Sequence, residues 1–324
     1  MSAFNPNDFA AGFASTQAPH SAAERERAYS PSSCFGGNYQ PYIQAYSEQS
    51  RQAREEAVAL GGRWLDVRTG PEPAQRLDLC LPGHLPAPGV PVLVFIHGGY
   101  WQELSARDSL FSAAQCVQRG VAFCAFDYTL APAASVGQIV AECRQALQVL
   151  AKGAAMWGID SRRIVVAGSS AGAHLAAMCC LPGTETAAQR DAAVRPSASL
   201  AGSPVESPDS RPCAAVLISG IFDLRPLIGT SINDALGLTE AQAQGQSPAL
   251  FRLAGFPPAL VCWGQIETDA FKAQSRQFAS ALQAAGTACQ TLERAQRNHF
   301  DVALDLADPA TELGRQTFKL LGMT

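Results

Sequence analysis

The sequence predicts one α/β domain, in which a mostly parallel sheet is covered by helices on both faces. Short apolar runs such as "VPVLVFI" and "VAFCAF" alternate with longer segments of helical spacing. Runs without polar alternation are typical of strands buried on both faces, and long intervening helices are typical of parallel connections. With 324 residues and 47% hydrophobic content, the chain is long enough to bury a substantial core.

The predicted elements follow one another regularly after a polar extension. This extension, residues 1–60, ends in a helix over Tyr42–Leu60. Predicted strands cover residues 63–67, 75–81, 91–96, 121–126, 163–168, 214–219, 258–263 and 289–294. Predicted helices cover residues 105–118, 136–156, 171–181, 268–286 and 310–322. Since nothing in the order requires a second unit, we expect a single domain over residues 1–324.

Two segments interrupt the alternation of strands and helices. Residues 183–212 are rich in Ala, Ser and Pro, and this composition predicts an exposed surface insertion. Residues 225–256 lie between two predicted strands. They could form a small cap over the carboxyl edge of the sheet, where ligands bind in folds of this type.

Composition and charge exclude several classes of protein. The formal net charge is −4 and no basic run stands out, so we expect no nucleic-acid partner. No apolar stretch is long enough for a membrane helix, and the N-terminal stretch does not resemble a signal peptide, so we expect a cytoplasmic protein. The ten cysteines form no CxxC pair, and we expect no metal and no cofactor. The predicted partner is a small-molecule substrate, and a homodimer is compatible with the sequence.

The stretch "GSSAG" carries the first indication of chemistry. It fits the pattern Gly-x-Ser-x-Gly with Ser170 in the centre, after the predicted strand "RIVVA" and before the predicted helix "AGAHLAAMCCL". A strand, a sharp turn and a helix are the context of a nucleophile elbow, which exposes a serine beside the N–H groups of a helix N-terminus. An ordinary glycine-rich turn would also fit the motif, so the choice depends on catalytic partners elsewhere in the chain.

A nucleophilic serine needs a histidine as base and an acid that orients the histidine. In enzymes with such an elbow, the chain order is serine, acid, histidine. Of the five histidines, His174 and His299 follow Ser170. His174 lies in the helix of the elbow itself, which favours a packing role. His299, between the last predicted strand and the last helix, is therefore the candidate base.

Three carboxylates are candidates for the acid. Glu267 follows the predicted strand "PALVCW" closely and is favoured. Asp269 lies two residues further on and could instead cap the next helix. Asp223 follows the preceding strand and could be a turn residue or a cap.

The stretch "HGGYW" ends the strand "VPVLVFI" and completes the expected site. Acyl transfer creates an oxyanion, which backbone N–H groups can stabilise. Gly98 and Gly99 can bring their N–H groups close because they lack side chains, and Ala171, directly after the serine, would supply another. His97 precedes Ser170 in the chain, and we expect it to hydrogen-bond within the loop.

The two aromatic residues of this stretch, Tyr100 and Trp101, follow the glycines. They could pack in the interior, or they could form an aromatic wall of the pocket for a flat substrate.

These motifs together resemble those of the arylformamidases, also called kynurenine formamidases, which have the α/β-hydrolase fold. The resemblance rests on "HGGYW" in place of HGGG, on "GSSAG", and on "ERAYSPS" near the N-terminus. It rests also on "SGIFDLRPL" with the following "TSINDALGLTEAQAQGQSPAL", on "ETDAFKAQSRQF" and on "NHFD". It extends from about residue 26 to the C-terminus.

The resemblance implies hydrolysis of N-formyl-L-kynurenine to formate and L-kynurenine, without a metal. The catalytic triad of the family corresponds to Ser170, Glu267 and His299, and its oxyanion loop corresponds to Gly98 and Gly99. Many relatives have Asp where this chain has Glu, which keeps Asp269 open as the acid. The segment 183–212 is also longer than the family pattern.

Two other functions compete with this one. The stretch "FDYTLAP" resembles carboxylesterases of the hormone-sensitive-lipase type, which act on small acyl or aryl esters with the same triad. The two aromatic residues after the glycines argue against that group. A receptor on an inactive hydrolase fold would lack the serine or the histidine, and this chain has both.

Overall fold

A computed structural model describes residues 21–182 and 211–323 of the chain. Its centre is an eight-stranded sheet with the order β1-β2-β4-β3-β5-β6-β7-β8. The strands are β1 Arg63–Arg68, β2 Arg76–Leu81, β3 Val90–Ile96, β4 Ala122–Phe126, β5 Ile159–Ser169, β6 Ala214–Ile218, β7 Ala259–Ile266 and β8 Cys289–Asn298. β2 pairs antiparallel with β1 and β4, and every other neighbouring pair is parallel. The sheet confirms the predicted fold class.

The side chains of β3 explain why its sequence is apolar without interruption. All seven residues of the strand are buried. Val92, Val94 and Ile96 belong to one hydrophobic cluster, whereas Leu93 and Phe95 belong to a second cluster on the opposite face. Because successive side chains of a strand point to opposite faces, both faces of this central strand must be apolar.

Helices cover both faces of the sheet. Nine α-helices lie in the described part of the chain: α1 Ala22–Ala28, α2 Gln40–Ala59, α3 Ala113–Gln118, α4 Val136–Gly153, α5 Ala171–Cys180, α6 Ile232–Leu236, α7 Glu240–Gly245, α8 Asp269–Ala284 and α9 Glu312–Leu320. Apolar residues of α4, α5 and α8 join the first cluster, and those of α2, α3 and α9 join the second. Short 3₁₀ helices lie at Pro31–Phe35, Ala106–Ser109, Arg225–Leu227, Pro248–Leu250 and Asp301–Asp305.

The segment predicted as one helix over residues 105–118 is divided in the structure. A 3₁₀ turn, Ala106–Ser109, precedes α3, and residues 110–112 separate the two elements. The backbone N–H of Leu110 donates to the Ser50 hydroxyl at 2.9 Å. It therefore has a partner outside the helix, which compensates for the interruption.

The structure describes only one of the two segments that interrupt the alternation in full. All but the last two residues of the predicted insertion, 183–212, lie outside the described residues. Residues 225–256 form two 3₁₀ turns and the short helices α6 and α7. This segment contributes Ser231 and Ile232 to the wall of a cavity of about 360 Å³, which also contains Ser170. Within the described ranges, no helix is both long and apolar enough to cross a membrane.

Candidate active site

Ser170 occupies a sharp turn between β5 and α5. Its φ of 56° and ψ of −120° lie in a region that residues with a side chain rarely adopt. The backbone N–H of Ser170 donates to the Ile218 carbonyl at 2.8 Å, which holds the turn against β6. A Cβ atom on Gly172 would lie 1.9 Å from the Ile96 carbonyl oxygen, and one on Gly168 would lie 2.2 Å from the Gly172 oxygen. The two glycines of the motif are thus required by close backbone approach.

His299 and Glu267 form a buried pair. His299 Nδ1 lies 3.2 Å from Glu267 Oε2. The other carboxylate oxygen, Oε1, accepts hydrogen bonds from the Gly264 N–H at 2.5 Å and from the Ser219 hydroxyl at 2.6 Å. Both members of the pair are almost inaccessible to solvent, at 4% exposure for Glu267 and 3% for His299. An imidazole oriented in this way through Nδ1 leaves Nε2 for proton transfer.

The two rival carboxylates contact other side chains. Asp269 is the first residue of α8, and its side chain is 92% exposed beside Lys272. Asp223 is buried and forms an ion pair with Arg225 at 2.7 Å. Of the three candidate acids, Glu267 is the one whose carboxylate contacts His299.

The first of the two glycines after β3 lies directly beside the elbow. A Cβ atom on Gly98 would lie 2.8 Å from the Ser169 carbonyl oxygen and 3.2 Å from Ser170 Cβ. Gly99 has φ +90°, which favours glycine, and a Cβ atom there would lie 2.4 Å from the Glu103 carbonyl oxygen. Ala171 opens α5, so its N–H has no partner within the helix. Gly98 and Ala171 thus lie next to Ser170, and Gly99 lines the same cavity as Ser170.

The side chain of His97 stabilises this loop. Its Nδ1 lies 3.0 Å from the Gly98 carbonyl oxygen, and its ring stacks on Tyr128 with 4.2 Å between centroids. The Tyr128 hydroxyl donates to the His97 carbonyl at 3.0 Å. These contacts agree with the expected role of His97 in the shape of the loop.

The two aromatic residues of "HGGYW" separate in the structure. Tyr100 lines the cavity, and its hydroxyl donates to the Tyr29 carbonyl. Trp101 is fully buried, and its ring packs edge-on against His174 at 5.1 Å. The expectation that Trp101 forms part of the pocket wall is therefore wrong. Both residues have positive φ, and this backbone turn directs the Trp101 side chain into the core.

His174 packs in the interior, as its position on α5 predicted. Its Nε2 lies 2.6 Å from the Gln246 carbonyl oxygen, so a neutral imidazole can donate there. Burial lowers the pKa of His174 to about 4, more than the hydrogen bond to Gln246 raises it. The neutral form is thus favoured, and His174 links α5 to the segment after α7.

Ser170, His299, Gly98 and Gly99 share the wall of one cavity of about 360 Å³. This volume is within the range of small-molecule sites. Its apolar wall is largely aromatic and includes Tyr39, Ile43, Tyr46, Phe95, Phe111 and Phe300. The Tyr39 ring stacks on the Phe300 ring, with 5.6 Å between centroids and 6° between planes.

The sequence did not assign the N-terminal residues of this wall to the site. Tyr29, Tyr39 and Tyr46 belong to the segment before β1, yet they line a cavity at the carboxyl end of the sheet. The only signal was "ERAYSPS", which the family resemblance included and which contains Tyr29. For Tyr39 and Tyr46, no local pattern distinguished a cavity residue from one in the core.

This fold and site define the class of protein. The sequence pattern of the α/β hydrolase fold family matches residues 93–301, and the chain belongs to that family. The kynurenine formamidase of Danio rerio is 29% identical over 286 residues, which cover 86% of this chain and 89% of the relative. That of Salmo salar is 28% identical and covers 92% and 96%. The chain is an arylformamidase-like hydrolase.

A solved structure agrees over almost the same span. The crystal structure of a protein from Silicibacter sp. TM1040, provisionally described as a thioesterase, is 26% identical to this chain. It matches with a TM-score of 0.70 and covers 90% of this chain and 97% of that one.

Proposed function

We propose that this protein hydrolyses N-formyl-L-kynurenine to formate and L-kynurenine, with Ser170, His299 and Glu267 as its catalytic triad. The observation that carries the proposal is the buried contact between Glu267 and His299, because His299 lies on the wall of a cavity that also contains Ser170 and the two loop glycines. This arrangement has the nucleophile, base and orienting acid of acyl transfer within one site.

The reaction proceeds through a formyl-enzyme. His299 takes the proton of the Ser170 hydroxyl while the oxygen attacks the formyl carbon. The N–H groups of Gly98, Gly99 and Ala171 stabilise the resulting oxyanion. His299 then donates the proton to the aryl amine nitrogen as the C–N bond breaks, and L-kynurenine leaves.

Water completes the cycle. It loses a proton to His299 and attacks the formyl ester of Ser170, and the second oxyanion collapses to release formate. His299 returns the proton to Ser170. The negative charge of Glu267 stabilises the imidazolium in both halves of the reaction. The mechanism needs no metal and no cofactor.

The cavity wall supports an aryl substrate. Tyr39 and Phe300 offer aromatic surface beside His299, and Phe95 and Phe111 add further apolar surface. Aromatic rings bind flat ligands by stacking and edge contacts, whose geometry is specific. The two relatives described as kynurenine formamidases support the choice of a formamide.

We also infer a cytoplasmic location. Cys80, Cys116, Cys124 and Cys262 are buried as thiols, and burial raises the pKa of each. Inert buried thiols are common in proteins of a reducing compartment.

A second candidate function is hydrolysis of small acyl or aryl esters. The thioesterase description of the Silicibacter structure favours it, because a thioester carbonyl would use the same triad. Ester hydrolysis differs in the leaving group. An alcohol or a thiol depends less than an aryl amine on receiving a proton while its bond to the carbonyl carbon breaks.

A fluorophosphonate probe tests the nucleophile. The wild-type protein should be labelled at Ser170, and Ser170→Ala should not be labelled. Ser169 is the matched control, because it is buried beside Ser170 and lines the same cavity. Ser169→Ala should retain labelling. Labelling of Ser170→Ala, or no labelling of the wild type, would contradict the proposed serine mechanism.

The products test the reaction itself. Incubation with N-formyl-L-kynurenine should release formate and L-kynurenine in equal amounts, and Ser170→Ala should release neither. If the wild-type protein is labelled by the probe but leaves this substrate unchanged, the triad is supported and the proposed substrate is wrong.

A further inference from the structure

Ser219 lies where β6 ends, and its backbone conformation is unusual. Its φ of 52° is in the left-handed region, which glycine adopts easily and serine does not. The side chain is fully buried and Ser219 does not belong to the cavity wall described above. Strained residues of this kind persist where the surroundings fix them, often at functional sites.

The Ser219 hydroxyl donates to Glu267 Oε1 at 2.6 Å. The same oxygen accepts the Gly264 N–H at 2.5 Å. Because Oε1 has two donors, Oε2 is the oxygen that faces His299 Nδ1, at 3.2 Å. The two donors thus fix the rotation of the carboxylate about its terminal bond.

We propose that Ser219 is a positioning residue for the hydrolytic reaction, which acts by fixing the Glu267 carboxylate toward His299. The inference rests on the proposed role of Glu267 as the triad acid. The backbone alone does not account for a serine here, since a glycine would adopt this φ without strain. The hydrogen bond of the hydroxyl does account for it.

The end of β6 contacts both ends of the proposed triad. The Ile218 carbonyl accepts the backbone N–H of Ser170, and the next residue, Ser219, donates to the acid. In addition, the backbone N–H of Ser219 donates to the Cys262 carbonyl at 2.8 Å, which ties it to β7. The end of β6 therefore fixes the positions of the nucleophile and the acid relative to each other.

Loss of the hydroxyl should slow chemistry without weakening substrate binding. The carboxylate would keep one donor on Oε1, and it could rotate away from His299. We expect kcat to fall about ten- to a hundredfold, the range for one hydrogen bond to a charged group. KM should remain within about twofold, because a residue that acts only in the transition state changes kcat alone.

A comparison of Ser219→Ala with Ser219→Gly distinguishes a positioning role of the hydroxyl from an effect of backbone strain. Both lack the hydroxyl, but the glycine variant also removes the strain at φ 52°. We expect both variants to lose kcat, and the glycine variant to melt no lower than the wild type. If Ser219→Gly retains wild-type kcat, the hydroxyl has no positioning role and the proposal is wrong.

Ser275→Ala is the matched control. Ser275 is also a fully buried serine, on α8, and its hydroxyl has no hydrogen-bond partner among the described residues. Its replacement should leave kcat unchanged. A similar fall of kcat in this variant would mean that the Ser219 effect comes from general loosening of the core. That result would overturn the proposal.

A double-mutant cycle with Glu267→Gln tests whether Ser219 acts through the acid. We expect Ser219→Ala to add little to the defect of Glu267→Gln, because residues that act as one unit are strongly non-additive. If the two defects multiply, Ser219 acts by another route and the inference fails. If Glu267→Gln alone is fully active, the proposed triad fails instead, which distinguishes the two claims.

Discussion

Glu267 and Asp269 are two residues apart, and their different environments arise from the residue between them. The Thr268 hydroxyl accepts the Phe271 N–H and so caps α8. This cap starts the helix at Asp269, whose side chain faces solvent, whereas Glu267 precedes the turn and faces His299. The sequence predicted the order of preference from distance to the strand end, and the cap gives the physical reason.

Replacement of these two carboxylates should have very different effects. Glu267→Gln keeps the size of the side chain but removes the charge that stabilises the imidazolium. We expect kcat to fall by about 10⁴-fold, as for loss of the orienting acid in a serine protease. Asp269→Asn, the matched control, should stay within about twofold. Steady-state kinetics on both variants would reject the assignment if Asp269→Asn had the larger defect.

Gly98 is predicted to be intolerant of a side chain for a local reason. The Cβ atom of Gly98→Ala would meet the Ser169 carbonyl oxygen and press on Ser170 Cβ. The loop would have to shift, and the oxyanion would lose a donor. We expect kcat to fall about 10²- to 10³-fold, the cost of one oxyanion donor.

Gly245→Ala provides the control for that substitution. Gly245 ends α7, and a Cβ atom there would have no neighbour within 4 Å. Its kcat should equal that of the wild type. Unchanged kcat in Gly98→Ala would mean that the loop after β3 does not form the oxyanion site.

At the scale of elements, the segment before β1 forms one side of the cavity. Tyr39 immediately precedes α2 and stacks on Phe300, which directly follows His299. The sequence predicted the helix from its spacing. It could not predict the stacking, because the two rings are far apart in the chain and neither local pattern specifies its partner.

Tyr39 should contribute to recognition of an aryl substrate. We expect Tyr39→Leu to raise KM for N-formyl-L-kynurenine, because the variant loses an aromatic face worth about 1 kcal/mol beside the site. Tyr39→Phe, the control, keeps the ring and should keep KM. For p-nitrophenyl acetate, a smaller substrate, the effect should be weaker. Equal KM values for all three proteins with the formamide would exclude this wall from substrate binding.

For the whole molecule, the alternation of apolar runs with segments of helical spacing was sufficient to predict the fold class. All eight predicted strands occur. Uninterrupted apolar runs specify burial on both faces for inner strands such as β3, whereas β1 and β8 at the two edges of the sheet are mostly exposed or half-buried. The sequence could not decide between the interior and the pocket wall for Trp101, because positive φ at Tyr100 and Trp101 decides the direction of its side chain and no residue pattern encodes that turn. Short sequence patterns were sufficient to identify the residues of the motifs. The cavity wall could not be predicted in this way, because it is formed by residues that lie far apart in the chain.

The stability of the whole molecule should depend on the protonation of His174. Its pKa is lowered from 6.5 to about 4 in the folded protein by burial. Between these values the unfolded chain binds a proton that the folded chain excludes. Stability should therefore fall as the pH drops through this window, by up to about 3 kcal/mol.

Urea unfolding as a function of pH can measure this contribution. His174→Gln should be less stable than the wild type at neutral pH, but its stability should fall less steeply between pH 6.5 and pH 4. The exposed His84 provides the control, and His84→Gln should reproduce the wild-type slope. Identical slopes for the wild type and His174→Gln would show that His174 titrates normally.

The activity that we propose for this arylformamidase-like hydrolase is hydrolysis of N-formyl-L-kynurenine through Ser170. The most direct measurement compares kcat/KM for that formamide with kcat/KM for p-nitrophenyl acetate, in the wild type and in Ser170→Ala. We expect a strong preference for the formamide and loss of both activities in the variant. Turnover of the ester alone would contradict this proposal and would identify the protein as an esterase, and formamide turnover that survives in Ser170→Ala would contradict the mechanism.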